Sequence, residues 1–158
     1  MMPQISNVIR MLEARKVPFK AYELPAEKLS ALETARLLKV PPEMVFKTIV
    51  ITREKPKKPI LAVIPGPNEV DLKALAQFLG EKKVHLPSER EAEEMTGLQA
   101  GGISPLALLN KGFMVIVDAS AQADAEIHIS GGQRGLNIRL PVEDLVGLTR
   151  ARIAIISK

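Results

Sequence analysis

A single lysine lies inside the segment of the chain with the strongest β-forming character. Residues 44–52, MVFKTIVIT, are rich in β-branched side chains and predict a strand in which Lys47 has apolar neighbours on both sides. A cation held at the rim of a sheet can bind a phosphate or stabilise a developing oxyanion. Alternatively, such a lysine protects an edge strand from aggregation, or extends its ammonium group into solvent at a strand end. The strand by itself leaves both interpretations open.

Two glycine-containing loops are the second candidate for chemistry. Residues 130–135, SGGQRG, separate two predicted strands and contain more small residues than a tight hairpin needs. A wider loop exposes backbone N–H groups, which can hold a phosphate or an oxyanion. Residues 96–105 include Gly97, Gly101 and Gly102 and form a second loop of this kind. Neither loop has the spacing of a P-loop or a dinucleotide fingerprint, and ordinary turn glycines remain the alternative for each.

Glu126, His128 and Ser130 have the residue types of a hydrolytic triad but not its geometry. Side chains two residues apart on a strand project in parallel about 6.5–7 Å apart. His128 therefore does not easily reach the Ser130 hydroxyl at the ~3 Å that a general base needs. We expect Glu126 and His128 to form a solvent-facing polar edge. His85, the other histidine, has no ligand spacing to His128, so no metal site is expected.

Composition narrows the possible classes of protein further. The chain has 158 residues, 22 Lys and Arg against 18 Asp and Glu (net charge +4), two His, four Phe, one Tyr and no Cys. The absence of Cys excludes a disulfide scaffold and a thiol nucleophile supplied by the protein. The few aromatic residues and modest charge disfavour a general RNA-binding regulator. Because no segment resembles a signal peptide or has ~18 consecutive apolar residues, we expect a cytoplasmic protein with one domain, 1–158.

The elements that position these residues are predicted from hydrophobic periodicity and capping signals. Ser30 with Glu33 and Ser88 with Glu91 form capping-box patterns, and Pro141 is predicted at the first position of a short last helix. The other predicted helices cover 4–16, 30–38, 71–79 and 88–95, and the predicted strands 19–24, 44–52, 60–64, 83–86, 113–118, 126–130, 136–140 and 153–156.

The order of these elements indicates the fold class. Strands 44–52 and 60–64 predict a hairpin, whose basic loop, 53–58, is a solvated tip or a contact for the phosphates of a polyanion. Helices interrupt the strands irregularly, and several connections are short. We therefore expect an α+β fold with a mixed, barrel-like sheet and helices packed around it, rather than a doubly wound parallel sheet.

Three strings in order along the chain resemble the YbaK/EbsC family, the free-standing aminoacyl-tRNA deacylases related to the editing domain of bacterial prolyl-tRNA synthetase. They are VFKT at 45–48, the loop that runs from Thr96-Gly97 to GGISP at 101–105, and SGGQRGL at 130–136. The resemblance implies that family's mixed, barrel-like sheet surrounded by helices. It also implies hydrolysis of a mischarged aminoacyl ester, most often Cys-tRNA(Pro), with Ala-tRNA(Pro) the substrate of relatives.

The resemblance also implies partners. They are the acceptor end of a mischarged tRNA and prolyl-tRNA synthetase, which would supply tRNA selectivity that a domain of charge +4 lacks. We expect no cofactor, no bound metal and no membrane partner.

Roles at individual positions follow from the same resemblance. Lys47 matches the family's lysine, which contacts the phosphate of the terminal adenosine or the ester. Asn137 is a departure, since close Cys-tRNA(Pro) deacylases have an aspartate there. The substitution removes a charge partner for the substrate's α-amino group or for Lys47. The positions carried over are, as catalytic, Lys47, Gly101, Gly102, Ser130 and Gly131, and, as substrate-binding, Tyr22, Phe46, Thr48, Ile103, Pro105, Gly132 and Asn137.

An aminoacyl ester is already activated, so positioning and oxyanion stabilisation can suffice without a side-chain nucleophile. We expect backbone N–H groups near Gly101–Gly102 or Gly131–Gly132 to hold the oxyanion. The attacking group is either water or the thiol of a cysteinyl substrate. Two other functions remain open: an Ala-tRNA(Pro) deacylase, and a module that binds tRNA or synthetase without turnover.

Overall fold

In the part of the chain that the structure describes, seven strands in two sheets, with helices packed against them, position the candidate residues. The computed structural model describes residues 6–55 and 57–158. Positions 4 and 5 of the first predicted helix and Pro56 of the basic loop therefore lie outside the described residues. The helices of the described chain are Asn7–Ala14 (α1), Ala31–Leu38 (α2), Leu72–Leu79 (α3), Glu89–Thr96 (α4) and Val142–Thr149 (α5), and its strands are Lys20–Glu23 (β1), Phe46–Ile51 (β2), Ile60–Pro65 (β3), Met114–Asp118 (β4), Glu126–Ser130 (β5), Leu136–Pro141 (β6) and Arg152–Ala154 (β7).

The strands divide between an antiparallel sheet and a mixed sheet. The first has three strands in the order β1-β6-β5, and the second has four in the order β2-β3-β4-β7. The predicted hairpin is present, because β2 pairs antiparallel with β3, whereas β3–β4 and β4–β7 are parallel pairs. The two sheets meet at an isolated parallel bridge between Val45 and His128. The α+β architecture with a mixed sheet is confirmed.

The mixed sheet is buried on both faces. On one face, Leu61 and Val63 belong to a core shared with the antiparallel sheet, α1 and α5. On the other face, Ile60, Ala62 and Ile64 pack against α3. All six residues of β3 are consequently buried, as expected for a central strand covered on both faces. This strand fixes the position of β2, its antiparallel partner.

Several boundaries and one strand differ from expectation. Residues 83–86 form no strand; instead His85 makes an isolated bridge with Thr52, closed by backbone hydrogen bonds of 2.8 and 2.9 Å. Pro87 directly follows the segment 83–86 and has no N–H with which to extend the bridge into a ladder. Pro141 is the N-cap of α5 rather than its first helical residue. No helix among the residues described is long and apolar enough to cross a membrane.

Both predicted capping boxes are present, and they begin the helices beside the candidate site. In α2, the Ser30 hydroxyl accepts from the Glu33 N–H at 3.1 Å, and the Glu33 carboxylate accepts from the Ser30 N–H at 3.0 Å. Ser88 and Glu91 make the same reciprocal bonds at the start of α4. These local signals are independent of tertiary packing, which is why the sequence alone locates the two helix starts.

Asp118 anchors residues 156–158 to the end of β4. Its carboxylate is buried, accepts from the Ile156 N–H at 2.9 Å, and also binds the N–H and hydroxyl of Ser120. We expect Asp118→Ala to lower the free energy of unfolding by about 2–3 kcal/mol, because it leaves a buried N–H without its charged acceptor. Urea denaturation measures this loss. Asp124→Ala is the matched control, and an equal loss in both variants would contradict the anchoring role.

Candidate active site

A cavity of about 560 Å³ opens where the two sheets part. Beyond the bridge between Val45 and His128, β2 runs along the edge of its sheet, and its outer side has no strand neighbour among the described residues. All residues from Val45 to Val50 line the cavity, although their side chains alternate between two faces. The open edge of β2 therefore forms one wall. We call this space the substrate cavity.

Lys47 is the cation of that wall. Within the described chain, no carboxylate lies within 4 Å of its ammonium group. Partial burial lowers the pKa of Lys47, and the nearby Glu69 carboxylate opposes this shift without cancelling it. Lys47 does lie on an edge strand, as the aggregation-blocking interpretation requires. Its half-buried position in a cavity is nevertheless the environment of a cation available to an anionic ligand.

The two glycine loops pack directly against each other. A Cβ at position 102 would lie 2.9 Å from the backbone of Gln133, so only glycine permits the two loops to approach each other this closely. Arg134 ties the loops together, because its Nε–H donates to the carbonyl oxygen of Ala100 at 2.8 Å. Gly132 has a φ of +97° and lies against Ala107, a conformation that favours glycine. Much of the glycine content therefore serves loop packing.

Most of the backbone N–H groups proposed for the oxyanion already have acceptors. The Gly102 N–H donates to the carbonyl oxygen of Gln99 at 2.8 Å, and that of Gly131 donates to the carbonyl oxygen of Leu136 at 2.9 Å. The Gly132 N–H donates to the Ser130 hydroxyl at 3.2 Å. For Gly101 no acceptor is present within the described residues. Gly101 also lines the substrate cavity, so it is the glycine N–H of the four that is free to bind a ligand.

His128 lies in the interior, which corrects the expectation of a solvent-facing edge. It is only 1% exposed, because the Tyr22 ring covers it with centroids 5.5 Å apart and Val45 of the other sheet lies beside it. Glu126 is half-buried and pairs with Arg139 at 3.2 Å. The alternation of residues 126–130 shows which side chains share a face, but not that a second sheet approaches that face.

The partner of His128 is Asn137 rather than Ser130. Nδ1 of His128 lies 2.9 Å from Oδ1 of Asn137. Because an amide oxygen only accepts, Nδ1 carries the proton and donates it. Nε2 is then the unprotonated nitrogen, buried without a partner among the described residues. Burial lowers the pKa of His128 more than the bond to Asn137 raises it, so the pair is neutral.

The substrate cavity collects seven of the twelve positions carried over from the resemblance. Five others lie outside its wall. Tyr22 packs on His128, Pro105 begins a buried 3₁₀ turn, and Gly102, Gly131 and Gly132 support the loops from behind. The seven lining positions are Phe46, Lys47, Thr48, Gly101, Ile103, Ser130 and Asn137.

Sequence reasoning missed the outer rim of the cavity. Lys28 and Glu89 both line it and form an ion pair at 2.5 Å, and Leu32 and Leu86 line it with about half of their surface exposed. The capping box at Ser30 locates the start of α2 but does not show that the helix faces β2. Only the tertiary arrangement reveals this rim.

Comparisons with known proteins identify the family of the chain. Residues 26–148 match the family model of the aminoacyl-tRNA editing domain. A protein of Enterococcus faecalis, named as a candidate Cys-tRNA(Pro)/Cys-tRNA(Cys) deacylase, EbsC, is 39% identical over 153 residues, which are 96% of this chain and 92% of the relative.

Solved structures share the fold. One, described as a candidate trans-editing enzyme for prolyl-tRNA synthetase, is 26% identical, has a TM-score of 0.82, and matches over 98% of this chain and 99% of its own. Another, the hypothetical protein APE2540, is 24% identical with a TM-score of 0.87 over 97% of this chain and 100% of its own; it supports the fold alone.

The chain belongs to the aminoacyl-tRNA editing domain family. Its activity is that of an aminoacyl-tRNA deacylase, which removes the amino acid from a mischarged tRNA. The expected family, fold and class of activity are confirmed.

The neutral pair of His128 and Asn137 predicts how stability depends on pH. Because its folded pKa is depressed, His128 should reduce the free energy of unfolding as the pH falls below about 6.5, where the unfolded chain binds a proton that the buried ring resists. Asn137→Asp supplies an anion beside Nδ1 and should weaken this loss. Urea denaturation between about pH 5 and 8 measures both profiles.

His85→Gln is the control, because it changes the other histidine, which is exposed, and should keep the wild-type profile. A pH profile of Asn137→Asp identical to that of the wild type would contradict the assigned contact.

Proposed function

We propose that this protein hydrolyses Cys-tRNA(Pro) in trans, with the aminoacyl ester bound in the substrate cavity. The main support for this proposal is that Lys47, Gly101 and Ser130 line the same cavity, and that no carboxylate of the described chain lies within 4 Å of the Lys47 ammonium group. Lys47 binds the 5′ phosphate of the terminal adenosine. A phosphate replaces part of the hydration that burial removes from the ammonium group, so binding relieves an existing cost.

The reaction requires few protein groups. A nucleophile attacks the ester carbonyl carbon, and the negative charge that develops on the carbonyl oxygen is held by the Gly101 N–H. The bond to the ribose oxygen then breaks, that oxygen takes up a proton, and the freed 3′ hydroxyl leaves with the tRNA. Ser130 lines the wall near the ester, where its hydroxyl already accepts from the Gly132 N–H. Orientation and oxyanion stabilisation carry the catalysis.

The attacking group is water or the substrate's own thiol. The protein has no cysteine, and His128, the buried histidine, is bonded to Asn137 instead of to Ser130. Attack by the thiol of a cysteinyl group on its own carbonyl closes a thiolactone and releases the tRNA. Attack by water releases free cysteine. The second route extends to alanyl esters, whereas the first does not.

We also propose that prolyl-tRNA synthetase is the partner that supplies tRNA selectivity. A net charge of +4 is small for a protein that must select one tRNA by itself. The related crystal structure is described as a trans-editing enzyme for that synthetase, which supports the proposal. We place the reaction in the cytoplasm and treat residues 1–158 as one editing domain. Co-migration with synthetase and tRNA at low salt tests the complex.

Replacing Lys47 should lower the deacylation rate without lowering the stability of the fold. We expect Lys47→Met to slow deacylation of Cys-tRNA(Pro) by about 100-fold, since it removes the cation that binds the substrate. The melting temperature should stay equal or rise, because the folded chain no longer desolvates a charge. Lys82→Met, at an exposed position outside both cavities, makes the same charge change and should keep the wild-type rate. A wild-type rate for Lys47→Met would overturn the role of Lys47.

A panel of esters should identify the nucleophile. If the substrate thiol attacks, Cys-tRNA(Pro) is cleaved and the isosteric Ser-tRNA(Pro) is not, because a hydroxyl is a much poorer nucleophile than a thiol at neutral pH. Cleavage of Ser- and Ala-tRNA(Pro) at the same rate as Cys-tRNA(Pro) would show that water attacks. Release of cysteine or its thiolactone, followed by mass spectrometry, provides the independent readout.

A further inference from the structure

A second cavity of about 520 Å³ lies beside the substrate cavity. The two share Lys47, Ile49 and Leu86 in their walls. These residues therefore form a ridge with one space on each side. The remaining lining of the second cavity comes from Ile64 and the segment 69–73, together with Lys158.

Three lysines surround this second cavity. Lys73 lies in the first turn of α3, Lys158 pairs with Glu69 through backbone hydrogen bonds, and Lys47 lies on the ridge. In the parts of the chain that the structure describes, none of the three has a carboxylate within 4 Å. Two acidic residues also line the space, but the Asp71 carboxylate caps α3 by accepting from the Ala74 N–H at 3.0 Å. The lining thus has three cations against two acids, with one acid already engaged.

Backbone hydrogen bonds connect the segments that line the second cavity. Glu69 and Lys158 exchange backbone hydrogen bonds of 2.9 Å each, and the Asp71 N–H donates to the carbonyl oxygen of Ile156 at 2.8 Å. This ladder continues the anchor at Asp118, which binds the Ile156 N–H. These bonds fix the backbone of Lys158 beside the segment 69–71. Between the lysines, the lining is apolar and consists of Ile49, Ile64, Val70, Leu72 and Leu86.

We propose that the second cavity binds the nucleotide that precedes the terminal adenosine of the tRNA substrate. This inference rests on the proposed function, because it assumes that the aminoacylated adenosine occupies the substrate cavity and that its 5′ phosphate lies at Lys47. The polynucleotide must then leave on the far side of Lys47. There the space offers lysines for the next phosphate and an apolar surface against which a base can lie.

The test compares two double variants with the same change in net charge. Lys73→Ala/Lys158→Ala removes the two cations that only the second cavity uses. Lys82→Ala/Lys83→Ala removes two exposed lysines that line neither cavity. Each protein is assayed with misacylated full-length tRNA and with the corresponding aminoacyl-adenosine, which has no phosphate. The variant Lys82→Ala/Lys83→Ala is the control, and melting temperatures check that both double variants fold.

For Lys73→Ala/Lys158→Ala, the ratio of KM for tRNA to KM for aminoacyl-adenosine should rise about tenfold, and kcat should change little. The slope of log affinity against log salt should fall in magnitude by about 0.7, since the two lysines bind one phosphate and each phosphate contact on a single strand contributes about 0.7. The control pair should behave as the wild type. Equal behaviour of the two double variants would overturn the proposal.

A binding measurement separates this proposal from the proposed function. Fluorescence anisotropy with a 5′-labelled single-stranded RNA of sequence ACCA needs no hydrolysis. Weaker binding by Lys73→Ala/Lys158→Ala than by the control pair supports the second cavity even if no ester is cleaved. No binding by the wild type, or equal binding by both variants, overturns it. If the wild type binds the RNA but does not hydrolyse the ester, only the catalytic proposal is refuted.

Discussion

The candidate site depends on the contact between the two sheets at Val45 and His128. On one side of this contact, the sheets share a core in which side chains of both are buried. On the other side, β2 has no neighbouring strand in the part of the chain that the structure describes, and its open edge faces the substrate cavity. Closing that edge with a further strand would fill the cavity and pair the backbone groups that now line it. The cavity and the unpaired edge are therefore two aspects of one arrangement, and a lysine such as Lys47 is a residue type that disfavours pairing of an exposed edge with other strands.

Asn137 connects the contact between the two sheets to the substrate cavity. Its side chain lines the cavity and also binds the buried His128. An aspartate at this position would place an anion beside the Nδ1–H of the ring and favour its protonated form. With asparagine, the pair of His128 and Asn137 is uncharged. Lys47 then has Glu69 as the acidic neighbour that raises its pKa.

The sequence predicted the elements that depend on local signals and missed the features that depend on packing. The capping boxes at Ser30 and Ser88 and the hairpin of β2 and β3 follow from short-range rules. The burial of His128 does not, because an alternating pattern cannot show that a second sheet covers the polar face. The candidate position of Lys47 is visible in the sequence because a lysine in an apolar strand conflicts with its surroundings. The rim residues Lys28 and Glu89 belong to unremarkable polar segments, and nothing local distinguishes them.

The hydrogen bond between Arg134 and Ala100 has a consequence for how the pocket can change. It joins two loops that are separated by more than thirty residues in sequence, and the backbone of the second loop lies so close to Gly102 that a side chain there would collide with it. We therefore expect a substitution that moves one loop to move the other. If these loops line the site of the amino acid, as we propose, replacements in one loop should be coupled to replacements in the other, and single replacements in the two loops should give non-additive effects.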